Sequence, residues 1–178
     1  MIPYASTATI AMAFPRTLTS AIEGFGFIIP RTEQRDLIAA TWTSLKWPHR
    51  APADQLLARC YVGGVGREDI LQVDDETLVA KVREELAAVC GISVEPTFTE
   101  VNRWWKAMPQ YTIGHLDRLA QLDAAVSRYS GLILTGAGYR GVGIPDCIRD
   151  GALAAERVMQ DLVGGKSLSG RSAISEGS

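Results

Sequence analysis

A glycine-rich turn between a short apolar segment and an amphipathic segment most constrains the fold of this 178-residue chain. Residues 132–134 are apolar and are predicted to form a strand, and a helix is predicted to run from Pro145 to about Val163. Pro145 suits the first turn of that helix, where a missing N–H is not needed. The turn contains four glycines: Gly136, Gly138, Gly141 and Gly143. This order directs free backbone N–H groups and the positive end of a helix dipole at a ligand, and therefore predicts a cofactor-binding turn.

The first three of these glycines match the G-x-G-x-x-G fingerprint of dinucleotide-binding folds. The fingerprint also requires a second strand after the helix and an acidic residue about 20 residues beyond the glycines. Residues 164–178 are rich in glycine and serine and show no strand pattern. A complete nucleotide-binding half is therefore not predicted. A turn that serves packing alone stays an alternative at this point.

Composition excludes several classes of function. The hydrophobic fraction of 47% is enough for a core, and the net charge of −2 argues against a nucleic-acid partner. No apolar run reaches the roughly 20 residues of a membrane span, and no signal peptide is recognised. A cytoplasmic protein is expected, with peripheral membrane association left open. Cys60, Cys90 and Cys147 are scattered, which indicates reduced thiols and no metal site.

Upstream of the turn the pattern predicts mainly an antiparallel sheet. Strands are predicted at residues 6–14, 24–29, 37–44 and 56–62, with a fifth at 94–102 followed by an aromatic loop at 103–111. A helix is predicted at 74–89, capped by Asp74 or Asp75 and ended by Gly91. Another is predicted at 114–129. Their expected buried stripes are Leu78, Val82, Leu86 and Val89 in the first, and His115, Leu119, Leu122 and Val126 in the second.

Three stretches carry a resemblance to a known family. They are Y-A-S-T-A-T-I-A-M-A-F-P with G-F-G-F-I-I-P-R and K-W-P-H-R-A-P, then W-W-K-A-M-P-Q-Y-T-I-G-H, and then G-V-G-I-P-D-C-I. They resemble the oxygen-dependent protoporphyrinogen and coproporphyrinogen oxidases of haem synthesis, which are flavoenzymes of the FAD-dependent amine oxidase superfamily. The last stretch is the most specific. The resemblance extends to about Val163 and corresponds to the C-terminal part of that family.

The resemblance implies an α+β fragment of a two-domain flavoenzyme. Residues 1–130 would be the C-terminal part of a substrate-binding domain, and residues 131–165 a βα unit completing a Rossmann-like FAD-binding domain. Residues 166–178 would be a flexible tail. A lone βα unit has no parallel partner within this chain, so the family's N-terminal half would be needed to complete the FAD site.

The resemblance also implies roles for particular residues. Val142, Gly143 and Ile144 would lie against the flavin ring, and Trp104 would border FAD. Glycine permits close backbone approach, although Gly143 could instead be required for a positive φ. The substrate would be a porphyrinogen, either protoporphyrinogen or coproporphyrinogen III. The flavin would accept the hydride, so no catalytic residue is assigned.

Cationic residues offer further candidates for binding the carboxylates of a porphyrinogen by charge-assisted hydrogen bonds. They are Lys46, Arg50, Arg103 and Lys106, for which a solvated surface position is the expected alternative. His49 and His115 are expected to be structural. Another amine oxidase-like enzyme and a non-enzymatic remnant stay open as alternative functions.

Overall fold

The computed structural model of the chain describes residues 1–163, without the side chains of residues 19–21. These residues form two compact units: Tyr4–Met108, and Met1–Pro3 together with the chain from Pro109 onward. The predicted α+β class, with an antiparallel sheet and helices, is confirmed. The predicted boundary at residue 130 concerns the domains of a whole enzyme and stays a prediction. The predicted flexible tail, 166–178, lies outside the described residues.

The first unit is built on a sheet with the strand order β2-β3-β4-β1-β5. The strands are β1 Tyr4–Pro15, β2 Gly26–Ile28, β3 Leu37–Trp42, β4 Gln55–Gly63 and β5 Phe98–Pro109. The pairs β1/β4, β2/β3 and β3/β4 are antiparallel. The four predicted strands are therefore confirmed, and β1 and β4 share a nine-residue register from Thr7↔Gly63 to Pro15↔Gln55.

One face of the sheet carries the hydrophobic core. Alternate residues of β1 are fully buried on this face because side chains of a strand point to opposite faces in turn: Ala8, Ile10, Met12 and Phe14. They belong to the same core cluster as Leu78, Val82 and Leu86 of helix α2, Asp75–Cys90. Val89 is 40% exposed, so its predicted burial is wrong.

Helix α2 is bounded as the sequence indicates. Asp74 Oδ1 accepts a hydrogen bond from Thr77 N at 2.7 Å, which satisfies one N–H of the first turn. Gly91 ends the helix in the left-handed conformation with a φ of 69°, which glycine adopts without steric cost. Local capping chemistry thus sets both ends.

The third predicted strand is shorter than expected. After β3 the chain turns into a short helix, α1, Thr43–Lys46, and a 3₁₀ turn at Pro48–Arg50 follows. Ser44 is buried, and its Oγ accepts a hydrogen bond from Leu57 N at 2.9 Å. A side chain thus replaces the backbone acceptor that a continued strand would have provided.

The fifth predicted strand is displaced. The structure places it at Phe98–Pro109, so the predicted aromatic loop at 103–111 is wrong for most of its length. Trp104 and Trp105 favour strand structure, and Pro109 stands at the last position, where a missing N–H is tolerated. Lys106 N donates to Ser6 Oγ at 3.0 Å, which ties the strand to β1.

The second unit contains helices α3, His115–Val126, and α4, Ile144–Val163. Both were predicted, and α3 is shorter at its ends than expected. The predicted strand at 132–134 is wrong because these residues have no regular secondary structure. A strand needs a neighbouring strand to complete its hydrogen bonds, and none of the described strands pairs with this segment.

Candidate functional site

The start of α4 presents exposed apolar side chains on either side of a glycine. Cys147 N donates to Gly143 O at 3.0 Å, so Gly143 provides the first carbonyl acceptor of the helix. N–H groups of the first turn have no intrahelical acceptor, and the helix dipole is positive there. Val142 is 60% exposed and Ile144 77% exposed. This arrangement suits a ligand that presents carbonyl oxygens or negative charge beside an apolar surface.

Two glycines of the preceding turn have backbone conformations that L side chains rarely adopt. Gly136 has a φ of 121° and Gly141 a φ of 149°. A Cβ at Gly141 would lie 2.4 Å from Asp146 Cβ, which no real contact allows. Gly143 is outside the positive-φ region, so the interpretation that Gly143 is required for a positive φ is wrong. A Cβ there would lie 3.1 Å from Asp146 Oδ2.

Tyr111 and His115 hold the glycine turn from one side. Tyr111 Oη donates to Ala137 O at 2.6 Å and accepts from Gly141 N at 2.9 Å. The His115 ring stacks on Tyr111 with centroids 3.9 Å apart, and His115 Nε2 lies 2.8 Å from Tyr139 O. Since a carbonyl only accepts, this nitrogen carries the hydrogen. The structure thus gives His115 the structural role that was predicted.

Asp150, on α4, holds the beginning of the same turn. Its Oδ2 accepts from Thr135 Oγ1 at 2.7 Å and from Gly136 N at 3.2 Å. Arg140 lies 3.9 Å from the Asp150 carboxylate and binds both oxygens of Asp123. The Thr135 hydroxyl, the Gly136 N–H and the Arg140 charge hold the pKa of Asp150 below its usual range, against the opposing effect of burial.

This carboxylate predicts a particular pH dependence. A carboxyl group with a lowered folded-state pKa stabilises the fold above its unfolded pKa of about 4, and the contribution is lost as pH falls through the folded-state value. Asp150→Asn should therefore be less stable than the wild type at pH 7, and the gap should close in acid. Thermal midpoints from pH 7 to pH 3 measure this.

Thr135→Val is the matched control because it keeps the Asp150 charge and removes the donor that contributes most to the pKa shift. The fall in thermal midpoint between pH 7 and pH 3 should be smaller in this variant than in the wild type, but should not disappear. A constant gap between Asp150→Asn and the wild type at every pH would contradict the assignment.

The sheet unit has an open groove on the face opposite the α2 core. Its volume is about 1060 Å³, at the upper end of small-molecule sites. The lining is mainly apolar and aromatic and includes Phe25, Phe27, Ile28, Tyr61, Trp104 and Met108. Three threonines, Thr7, Thr9 and Thr41, add hydroxyl groups. Trp104 is 52% exposed, and its Nε1 donates to Thr9 Oγ1 at 3.4 Å. The groove suits a large apolar ligand.

The cationic candidates for carboxylate binding differ in their contacts within the chain. Arg103 donates to Leu71 O and Val73 O and forms an ion pair with Asp75, so this guanidinium supports the fold. Its expected solvated position is therefore wrong. Lys46 lines the groove with its Nζ 4.5 Å from the centroid of the Trp47 ring. Lys106 contributes its backbone N–H to Ser6.

The three cysteines carry no disulfide. Cys60 is buried in the core, and burial raises the pKa of its thiol to about 12. Burial also raises the pKa of Cys90. Both therefore remain protonated and unreactive at neutral pH.

Residues 1–159 match the family described as flavin containing amine oxidoreductase. The chain belongs to this family. The match covers both units, including the glycine turn and most of α4.

Individual relatives carry a more specific name than the family does. The chain is 44% identical over 151 residues to coproporphyrinogen III oxidase of Bacillus subtilis (strain 168), covering 84% of this chain and 32% of that protein. It is 40% identical over 159 residues to the Staphylococcus aureus (strain NCTC 8325 / PS 47) coproporphyrinogen III oxidase, covering 88% and 34%. The chain thus spans about a third of the length of these relatives.

Solved structures agree on the architecture. A crystal structure described as a protoporphyrinogen oxidase from Exiguobacterium sp. 255-15 matches with a TM-score of 0.80 and 32% identity, over 90% of this chain and 36% of that one. Reduced UDP-galactopyranose mutase matches with a TM-score of 0.66 at 15% identity, over 94% and 35%. The second likeness shows the fold alone.

The structure places three of the four predicted flavin-binding residues at the start of α4: Ile144 begins the helix, and Val142 and Gly143 directly precede it. Trp104 belongs to the sheet unit and lines the groove. Sequence reasoning missed the contacts of Tyr111 and Asp150 with the turn. The M-P-Q-Y motif contained Tyr111, but nothing in a motif identifies a hydrogen-bond partner 26 residues away.

Proposed function

We propose that the chain is part of an oxygen-using, FAD-dependent oxidase that converts a porphyrinogen to the porphyrin in haem biosynthesis. Coproporphyrinogen III is the favoured substrate because the relatives at 40–44% identity carry that name. Protoporphyrinogen is the second candidate, supported by the name of the Exiguobacterium structure. The observation that carries the proposal is the exposure of Val142 and Ile144 on either side of Gly143 at the start of α4, within a family of flavin proteins.

The residues at the start of α4 fit a flavin. Val142 and Ile144 offer apolar surface, and Gly143 has no side chain between them to keep a flat ring away from the backbone. Free N–H groups and the positive dipole end favour the ring carbonyls and negative charge on a reduced ring. We therefore assign these three residues to flavin binding, and Trp104 by resemblance alone.

When bound, FAD supplies the acceptor for hydrogen removed from the porphyrinogen and passes the electrons to oxygen. The residues of this chain bind and orient the flavin and the porphyrinogen. The turn fixed by Tyr111, His115 and Asp150 holds the backbone of 142–144, and the groove offers an apolar wall to the tetrapyrrole. No side chain of the chain is assigned as a nucleophile or a general base.

Helix α4 supports a further part of the proposal. None of its described residues is buried, although it is amphipathic, and one face of it carries the exposed apolar residues Ile144, Ile148, Val158, Met159 and Leu162. We propose that this face packs on a flavin-binding domain provided by the family's N-terminal half, which would also bind the ADP portion of FAD. None of the described helices is long and apolar enough to cross a bilayer. A cytoplasmic location is part of this proposal.

The test uses both the 178-residue chain and a full-length protein that carries it. The full-length protein should show a flavin spectrum and oxidise coproporphyrinogen III with oxygen uptake and the appearance of porphyrin fluorescence. The isolated chain should lose flavin on desalting because the ADP portion has no site in it. A stoichiometric flavin band on the desalted chain would contradict this part of the proposal. No porphyrin formation by a flavin-loaded full-length protein would contradict the activity.

Gly143→Val in the same full-length protein tests the assigned contact. A branched side chain at this position should displace the ring and reduce FAD retention, since Gly143 needs no unusual φ. The thermal midpoint of the flavin-free variant should stay near that of the flavin-free wild type. Normal flavin content and turnover would remove Gly143 from the site.

A further inference from the structure

We propose that Arg59 and Lys46 form a carboxylate-binding end of the sheet groove and that this end selects porphyrinogens with additional carboxylate groups. The inference deepens the proposed function and rests on it. The ligand chemistry is a large apolar ring with several propionate side chains. Coproporphyrinogen III has four such groups and protoporphyrinogen has two.

Strand register places Arg59 on the groove face. Thr9, Tyr61 and Ala39 are cross-strand partners in β1, β4 and β3, and all three line the groove. The next row on the same face is Ala11, Arg59 and Thr41, because side chains two residues apart point to the same side. Thr41 also lines the groove. Arg59 therefore stands about 7 Å beyond Tyr61 along β4.

Lys46 approaches the same end from the neighbouring strand. It ends the short helix α1, which follows β3 directly after Thr41 and Trp42. Lys46 lines the groove and is exposed, and its Nζ lies over the Trp47 ring. An exposed cation–π contact is weak, so the ammonium group can still bind an anion.

The charges at this end have no counterions in the described part of the chain. Neither Arg59 nor Lys46 forms an ion pair within residues 1–163, and none of the described groove-lining residues is acidic. Several other cations of the sheet unit are already paired: Arg35 pairs with Glu85, Arg83 pairs with Glu95, and Arg67 donates to two backbone carbonyls. Two free cations beside an apolar wall fit an anionic group on an apolar body.

Size and polarity favour a tetrapyrrole in this position. The groove has the volume for a large ring, is mainly apolar and is lined by Lys46. Arg59 is not itself a lining residue but stands in the row of the lining residue Thr41, next to the row of Tyr61. Arg59 can bind a carboxylate with two parallel N–H donors, and Lys46 can add a point charge. Removing one charged hydrogen bond of this kind weakens binding by about tenfold or more.

The test measures substrate selectivity in the full-length protein. Arg59→Gln and Lys46→Gln should each raise KM for coproporphyrinogen III about tenfold with little change in kcat, and change KM for protoporphyrinogen less. Arg59→Lys should have a KM for coproporphyrinogen III between those of the wild type and Arg59→Gln, because lysine keeps the positive charge but lacks the two parallel N–H donors of the guanidinium group. Lys81→Gln is the control, since Lys81 lies on α2 at the opposite face of the sheet and pairs with Asp36.

Binding of coproporphyrin III, the oxidised ring with the same four carboxylates, gives a readout independent of turnover. Fluorescence quenching should show weaker binding to Arg59→Gln, and the difference from the wild type should shrink at high salt. KM values within twofold of the wild type for both substrates, in an active enzyme, would overturn this inference alone. A flavin-loaded wild type that oxidises neither porphyrinogen would overturn the proposed function and this inference with it.

Discussion

Replacing Gly141 with alanine should displace the glycine turn and weaken FAD binding by at least about tenfold in the full-length protein. Two effects combine. Gly141 has a φ of 149°, where a residue with a side chain costs about 1–3 kcal/mol. The new Cβ would also lie 2.4 Å from Asp146 Cβ, in the first turn of α4. The turn or the helix start must therefore move.

The measurement has two parts. Flavin content after desalting reports on the cofactor site, and hydrogen exchange of residues 136–147 in the isolated chain reports on the turn itself. Gly141 N donates to Tyr111 Oη in the wild type, so this amide should exchange slowly there and faster in the variant.

Gly151→Ala is the matched control. Gly151 lies in α4, has open space around its Cβ position and has no positive φ. Alanine is favoured over glycine in a helix by about 1 kcal/mol, so this variant should be as stable as the wild type or more stable. If Gly141→Ala keeps the flavin content and the amide exchange rates of the wild type, the positive φ at Gly141 is not needed for FAD binding.

Truncating Phe14 to alanine should destabilise the sheet unit by about 3–5 kcal/mol. Phe14 is only 1% exposed, in the core cluster that also contains the buried face of α2. Its removal loses buried apolar surface and leaves a cavity that the surrounding strands fill only in part. Urea unfolding, followed by circular dichroism, measures the change.

Phe98→Ala provides the comparison with the same substitution. Phe98 begins β5 and is 50% exposed, so its truncation should cost much less. Equal losses at the two positions would contradict the location of the core on the α2 face.

The sequence predicted those parts of the fold that depend on neighbours within a few residues. The β-branched and small apolar residues at 6–14 identified β1 as a strand, and Asp74 and Gly91 marked the ends of α2. The glycine turn and the helix start after it also followed from local pattern. So did the position of Val142, Gly143 and Ile144, whose role in flavin binding is still a prediction.

The errors occurred where distant partners decide the outcome. A strand was predicted at 132–134 from apolar residues alone, but a strand exists only where another strand completes its hydrogen bonds. The aromatic residues after Asn102 were assigned to a loop, whereas pairing with β1 extends β5 to Pro109. Arg103 was expected in solvent, whereas Leu71, Val73 and Asp75 bind its guanidinium group.

By itself, the sequence determined the α+β class, most strand and helix positions and the glycine turn, because periodicity, caps and glycine content act over short distances along the chain. The tertiary structure alone decided that Gly141, and not Gly143, needs a conformation reserved for glycine. It also decided that Tyr111 and Asp150 hold the turn, and that Arg59 lies in the row next to Tyr61 on the groove face. These facts depend on backbone φ and on contacts between residues far apart in sequence, which only the folded chain brings together.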